Sequence, residues 1–187
     1  MTLWNRCKSR ERDRWLMGSV TGSLGILTVG LTAGYPALAD DLPKESVLPF
    51  AIADKAVHAA LEACKKDGYR VSVSVVDRAG VLRAMGRADG AGPHTVDSSR
   101  KKAYTASSLR RPTTELAELI AKVPTLQALS DINEEILMLG GGLPIEIGGE
   151  VVGGIGVGGA PGAHLDDACA QDGLDVVGAA PKVSAPK

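Results

Sequence analysis

The chain is 187 residues long with a formal net charge of −1 at pH 7, enough for one domain with its own core. That balance excludes a general nucleic-acid binder, which meets phosphates with a basic surface. Aromatic residues make up 3% of the chain, so platforms for stacking on bases are missing as well.

The N-terminus reads as an export signal. Arg6, Lys8, Arg10, Arg12 and Arg14 form a basic head, Leu16 to Ala39 is uncharged, and Ala37-Leu38-Ala39 has the small-x-small form of a cleavage site. This predicts a signal peptide over residues 1–39, a mature start at Asp40 and a periplasmic or secreted protein with no membrane span after cleavage. An uncleaved anchor is the rival reading, but Gly18, Ser19, Thr21, Gly22, Ser23 and Gly25 make the run only weakly apolar. No Arg-Arg pair occurs there, which favours the general secretion route. Cleavage leaves 16 basic against 20 acidic residues. It also leaves two cysteines, Cys64 and Cys169, which either pair in an oxidising compartment or pack as small apolar residues; the sequence leaves both open.

Residues 40–47 read as a flexible leader, 48–180 as one domain and 181–187 as a flexible tail. From about Val47 to Asp67, Ala53, Ala56, Val57, Ala60, Leu61 and Cys64 recur at helical spacing, and Gly68 supplies the stop. Tyr69 to Val76 alternates, with Val71, Val73 and Val75 on one side and Ser72 and Ser74 on the other, which predicts a half-buried strand. Asp77-Arg78-Ala79-Gly80 is a turn and Val81 to Met85 the returning strand. Asp89 to Pro93 breaks regularity, and Thr95 is expected to cap a helix to about Leu109. Pro112 ends that helix, and Thr113 or Thr114 caps another that runs to Pro124. Thr125 to Asn133 stays open between loop and short helical turn. Ile136 to Leu139 predicts a third strand. Ile145 and Ile147, then Val151, Val152, Ile155 and Val157, predict two more around Gly148-Gly149, a two-residue hairpin turn. A last helix runs from about Leu165 to Val177. Strand groups joined by tight turns imply an α+β fold, an antiparallel sheet with helices packed on it.

Gly154 to Gly159 matches G-x-G-x-x-G, but no strand follows the next helix, so the context of a dinucleotide site is absent. Glycines inside a strand point instead to close approach of another backbone or of a flat ligand. Of the three histidines, His58 lies on the polar flank of the first helix and His94 precedes a helix in a glycine-rich loop. His164 with Asp166 and Asp167 resembles a weak metal cluster, although acids in a first helical turn are explained by the helix dipole. Arg100, Lys101, Lys102, Arg110 and Arg111 form a basic cluster, either a solvated helix face or a partner for carboxylates and phosphates.

Two stretches carry a family resemblance over about Leu48 to Gly178: VSVSVVDRAGVLRAMGRADGAGPHTVDSSRKKAYTA and GGGLPIEIGGEVVGGIGVGGAPGAHLDDACAQDG. The chain resembles the GlcG/HbpS-like haem-binding proteins, also grouped as haem-degrading domains. The resemblance implies a profilin-like fold with a five-stranded antiparallel sheet, homo-oligomeric assembly and haem as cofactor. Storage, redox sensing or breakdown of haem are the functions implied, with an extracytoplasmic sensor as partner. Within Lys102-Ala103-Tyr104-Thr105-Ala106, Thr105 matches a threonine associated with axial contact to haem iron. His94 is the rival ligand, and Arg110 and Arg111 are placed near the propionates. Other relatives are encoded with glycolate metabolism, which implies the alternative of a small-metabolite-binding or catalytic module. There His94, Asp89 and Arg111 would converge on a small carboxylate. The reading carried forward is an exported haem-binding protein, a binder rather than a dedicated enzyme.

Overall fold

The structure, a computed structural model, describes residues 44–179. The expected signal peptide, the first part of the leader and the tail lie outside the described residues. Helix α1 spans Phe50–Lys66, strand β1 Ser72–Asp77, β2 Leu82–Arg87, α2 His94–Leu109 and α3 Thr113–Lys122. After a 3₁₀ segment at Pro124–Asp131 come β3 Gly142–Ile147, β4 Glu150–Gly158 and α4 Ala163–Val176. The strands form one antiparallel sheet in the order β2-β1-β4-β3.

One face of the sheet is apolar. Val73, Val75, Leu143, Ile155 and Val157 are fully buried against Ala53, Ala56, Val57 and Ala60 of α1 and Ala170 and Leu174 of α4. Large residues on the strands thus meet small ones on the helices, so the helices pack close while the branched side chains fill the layer. Cys64 and Cys169 join α1 to α4 in a disulfide, with Cα atoms 5.5 Å apart.

The opposite face is built differently, and it changes the reading of β1. Ser72 and Ser74 are as buried as the valines between them, because α2 covers their side of the sheet. Ser72 Oγ lies 2.7 Å from Thr95 Oγ1 and Ser74 Oγ 2.8 Å from Ser99 Oγ. Thr95 donates to the Gly92 carbonyl and Ser99 to the Val96 carbonyl. Each helix hydroxyl has a single proton, so the strand serines are the donors in both pairs.

Local signals survive where they concern turns. Gly148 and Gly149 have φ of +62° and +81°, both in the left-handed region that the tight hairpin needs. Asp77 Oδ1 accepts from Ala79 N and Val81 N, each at 3.0 Å, and fixes the β1–β2 turn.

Three expectations are corrected. Among the described residues the sheet has four strands, not five, because Ile136–Leu139 does not pair. Ile136 N donates to Asn133 O, Leu137 N to Thr105 Oγ1 at 2.8 Å and Leu139 N to Leu137 O, so this apolar run packs on α2 with three of its four donors engaged outside the sheet. Thr95 is not a cap: α2 follows Pro93 without a side-chain cap, and Thr95 is turned under the sheet. Thr113 and Thr114 likewise leave α3 uncapped, their hydroxyls engaged with Gly142 and Asp167 instead.

Candidate functional site

Every residue expected at the site belongs to α2 or its flanks, so the seating of that helix comes first. Gly154 and Gly156 of β4 face it across the sheet, their register set by pairing with Val76 and Ser74 of β1. A Cβ on Gly156 would meet the Ser99 carbonyl and, at 2.5 Å, Ala103 N; one on Gly154 would meet the Ala103 carbonyl and, at 2.9 Å, Ser107 N. The glycine run is therefore the bed of a helix backbone. A glycine-lined surface open to a flat macrocycle does not exist on this face, since α2 occupies it.

The expected ligands do not converge. His94 is exposed at the start of α2 and Arg110 follows its end. Sixteen helical residues put these positions about 24 Å apart along the axis. Thr105 lies between them, 0% exposed, and its hydroxyl donates to Lys101 O at 2.8 Å while accepting from Leu137 N. The Thr105 oxygen is thus enclosed and engaged on both sides in this arrangement. Arg110 has φ of +54°, an arginine in the left-handed cap position that glycine usually fills. With Arg78 it acts on Glu150, whose carboxyl is held below its usual range mainly by the Ser46 hydroxyl. Arg111 pairs with Glu115 at 3.2 Å. The trio of His94, Asp89 and Arg111 is split in the same way, between the two ends of α2. A cleft of about 60 Å³ lined by Arg78, Ala79, Gly80, Tyr104 and Ser108 is far below the few hundred Å³ of a typical ligand pocket.

The N-terminal end of α2 has more to offer. The β1–β2 pairing sets Ser72 opposite Arg87, so Arg70, Arg87 and the loop leading to His94 share one end of the sheet. Arg87 Nε donates to the Ala91 carbonyl at 3.1 Å, and Nη2 donates to the same oxygen. Gly90, with φ of +78°, lies under Arg70, and Gly92 under the His94 ring.

Sequence reasoning missed a buried polar cluster on the other flank of α2. Lys102 is 2% exposed; its Nζ donates to Asp166 Oδ2 at 2.8 Å and to Val157 O at 2.9 Å. Asp166 Oδ1 accepts from Ala160 N at 3.0 Å. Asp167 accepts from Gly141 N at 2.6 Å and from the Thr114 hydroxyl. Burial pushes both carboxyls above their ordinary range, against the pull of Lys102 on Asp166 and of Thr114 on Asp167. These contacts clamp α2, α3 and α4 to the 140–142 turn. The signal was present: positions 95, 99, 102 and 106 fall at helical spacing, which places Lys102 on the buried face rather than in a solvated basic run.

Arg100 confirms the contrast, since it lies at the surface and pairs with Glu135 and Asp97. His58 stands beside Asp54 on the exposed side of α1. His164 is exposed and folds back over Gly162, and among the described residues no group of three His, Cys, Asp or Glu side chains is arranged to hold a metal. No described helix is long and apolar enough to cross a membrane.

A family model described as haem degrading protein, HbpS-like, matches residues 48–175. The crystal structure of HbpS is 44% identical in sequence and superposes with a TM-score of 0.69 over 73% of this chain and 94% of its own. A crystal structure of a PduOC–haem complex is 25% identical, with a TM-score of 0.67 over 72% of this chain and 98% of its own. Protein GlcG of Escherichia coli is 31% identical over 111 residues, 59% of this chain and 81% of GlcG.

Proposed function

Because the chain belongs to the HbpS-like haem-degrading family, we propose that it binds haem outside the cytoplasm and holds it through His94 as iron ligand. The observation that carries the ligand assignment is the accessibility of this imidazole at the head of α2, in contrast to the Thr105 hydroxyl about three turns on, which is enclosed and engaged. Imidazole is also the commoner donor to haem iron. The cleft at Arg78 and Tyr104 is too small for a macrocycle, and in this reading haem lies on the open surface at the His94 end of the sheet, or between this surface and a second copy of the chain. Bound haem would supply one-electron and oxygen chemistry; the protein supplies the ligand, the cations and the covering surface. The Cys64–Cys169 bond supports the extracytoplasmic part, since structural disulfides persist in oxidising compartments.

Titration of haem into the exported protein tests this reading. We expect a saturable Soret change at micromolar haem, lost or weakened about tenfold or more in His94→Ala. Thr105→Val should keep the wild-type spectrum while lowering stability by about 1–3 kcal/mol, because it strips partners from the Lys101 carbonyl and Leu137 amide. A Thr105→Val protein with a lost band and normal His94→Ala binding would reverse the assignment. Following the band under a reductant and oxygen then separates holding from breakdown: a stable band supports a binder, steady bleaching with release of iron an enzyme. The mature N-terminus of the same preparation should lie at or near Asp40, and retention of Trp4 and Trp15 would overturn export with cleavage.

A further inference from the structure

Two arginines converge on the loop before α2 without an acidic partner. Arg70 precedes β1 and Arg87 ends β2; Ala88 N donates to Val71 O at 2.9 Å, which brings both to the same end of the sheet. A Cβ on Gly90 would meet Arg70 Nη1 at 3.0 Å and Cδ at 3.1 Å, and one on Gly92 would meet the His94 ring at 2.6 Å. Each glycine therefore makes room for a side chain lying across the loop, one cationic and one an imidazole.

The charge around them is uncompensated. Arg78, Arg100, Lys101 and Arg111 each stand within 4.0 Å of a carboxylate; among the described residues Arg70 and Arg87 do not. Asp89 is the one acid in the loop, and Asp97 in the first turn of α2 is held by Arg100 and Lys101. The Ala91 carbonyl orients the Arg87 guanidinium but neutralises nothing. A guanidinium presents a planar fork of five N–H donors, matched to a carboxylate. Met85, two residues before Arg87 on the same side of β2, is 42% exposed and adds apolar surface beside that fork.

On the strength of the haem reading above, we propose that Arg70 and Arg87, not Arg110 and Arg111, bind the carboxylates of the macrocycle while His94 faces its iron. Arg110 and Arg111 lie beyond the far end of α2 from His94, and Arg111 is already paired with Glu115. The ligand class at this loop is thus one that presents carboxylates to the two guanidinium groups.

Haem and its dimethyl ester, which lacks the charges, are titrated against the wild type, Arg70→Gln, Arg87→Lys and Arg110→Gln/Arg111→Gln. The wild type is expected to prefer the free acid by about tenfold or more. Arg70→Gln should lose most of that preference while binding the ester normally, and among the described residues it removes no side-chain hydrogen bond. Arg87→Lys keeps the charge but not the fork, and should lose a smaller part. The double variant at the far end should behave as wild type. Full acid-over-ester preference in Arg70→Gln, or its loss in the double variant, overturns this assignment and leaves haem binding intact. No Soret change with either ligand in the wild type overturns the haem reading and this one together.

Discussion

The two faces of the sheet hold their helices by opposite means. Toward α1 and α4, branched strand residues such as Val73, Val75 and Ile155 fill the space between layers, and the disulfide joins the two helices. Stability there comes from apolar area, at about 25 cal/mol per Å² buried, and cores of that kind tolerate repacking. Toward α2 the strands offer Gly154, Gly156, Ser72 and Ser74, and the helix offers Ser99, Ala103 and Ala106. Two backbones meet with almost no side chain between them, joined by hydroxyl pairs and flanked by a buried ion pair. Such a face has little area to give and no room for adjustment. It fixes α2, and with it His94, more tightly than an apolar layer would.

The ion pair gives the largest way to break this arrangement. Lys102→Met keeps the stem but leaves Asp166 buried without its cation, and removal of one partner from a buried pair costs about 3–5 kcal/mol. Urea denaturation should show that loss at pH 7. The deficit should narrow as the pH falls, because Asp166 without Lys102 protonates more readily and a neutral acid is far cheaper to bury. A loss under about 1 kcal/mol would mean that water reaches the site and the clamp is loose.

Next in size is a single methyl group. Gly156→Ala drives a Cβ into the Ser99 carbonyl and Ala103 amide, both backbone atoms of a helix that cannot shift without losing Lys102 and both serine pairs. Overpacking of this kind costs about 3 kcal/mol. On the other face, Val75→Ala removes two methyl groups and should cost about 2–3 kcal/mol by the cavity it leaves. One methyl added to the α2 face is thus expected to cost at least as much as two removed from the other. If Gly156→Ala is neutral, α2 floats on the sheet and the contrast between the faces fails.

The same contrast explains what the sequence revealed and what it hid. The first face was legible, because Ala53, Ala56, Val57 and Ala60 keep helical spacing and Val71, Val73 and Val75 alternate, and both patterns are local. The hairpin at Gly148-Gly149 was legible for the same reason. Ile136–Leu139 misled because an apolar run of four residues specifies burial but not a partner, and its partner is the side chain of Thr105. Ser72 and Ser74 read as a solvated side because hydroxyls usually face water; only α2, more than twenty residues on, reveals them as donors to Thr95 and Ser99. The residue types of Thr105 and Lys102 suggest a ligand and a solvated cation; their positions on α2 place both on its buried face. Arg70 and Arg87 are joined to His94 by the register of β1 on β2, which no spacing in the chain displays.

The smallest effect concerns Asp167, and its sign is the informative part. Burial raises its carboxyl above the ordinary value, against the Thr114 hydroxyl and the Gly141 amide. An acid whose pKa is higher folded than unfolded contributes stability that is fully present below the unfolded value, about 3.9, and is lost as the pH rises through the folded value. Asp166 is shifted in the same direction, so the native protein should lose stability from about pH 4 upward toward neutrality through this pair. Asp167→Asn keeps an acceptor for Gly141 N and gains an N–H to donate to Thr114, imitating the protonated acid without a charge. It should therefore match or exceed the wild type at pH 7, by up to about 1 kcal/mol. The margin should shrink toward pH 4, where the wild-type acid carries its own proton. Thermal midpoints of the two proteins across that range decide the matter. A margin that grows in acid, or an Asn variant clearly weaker at pH 7, would mean that the ionised carboxylate stabilises the turn at 140–142, and the α2 flank would then depend on charge at two points instead of one.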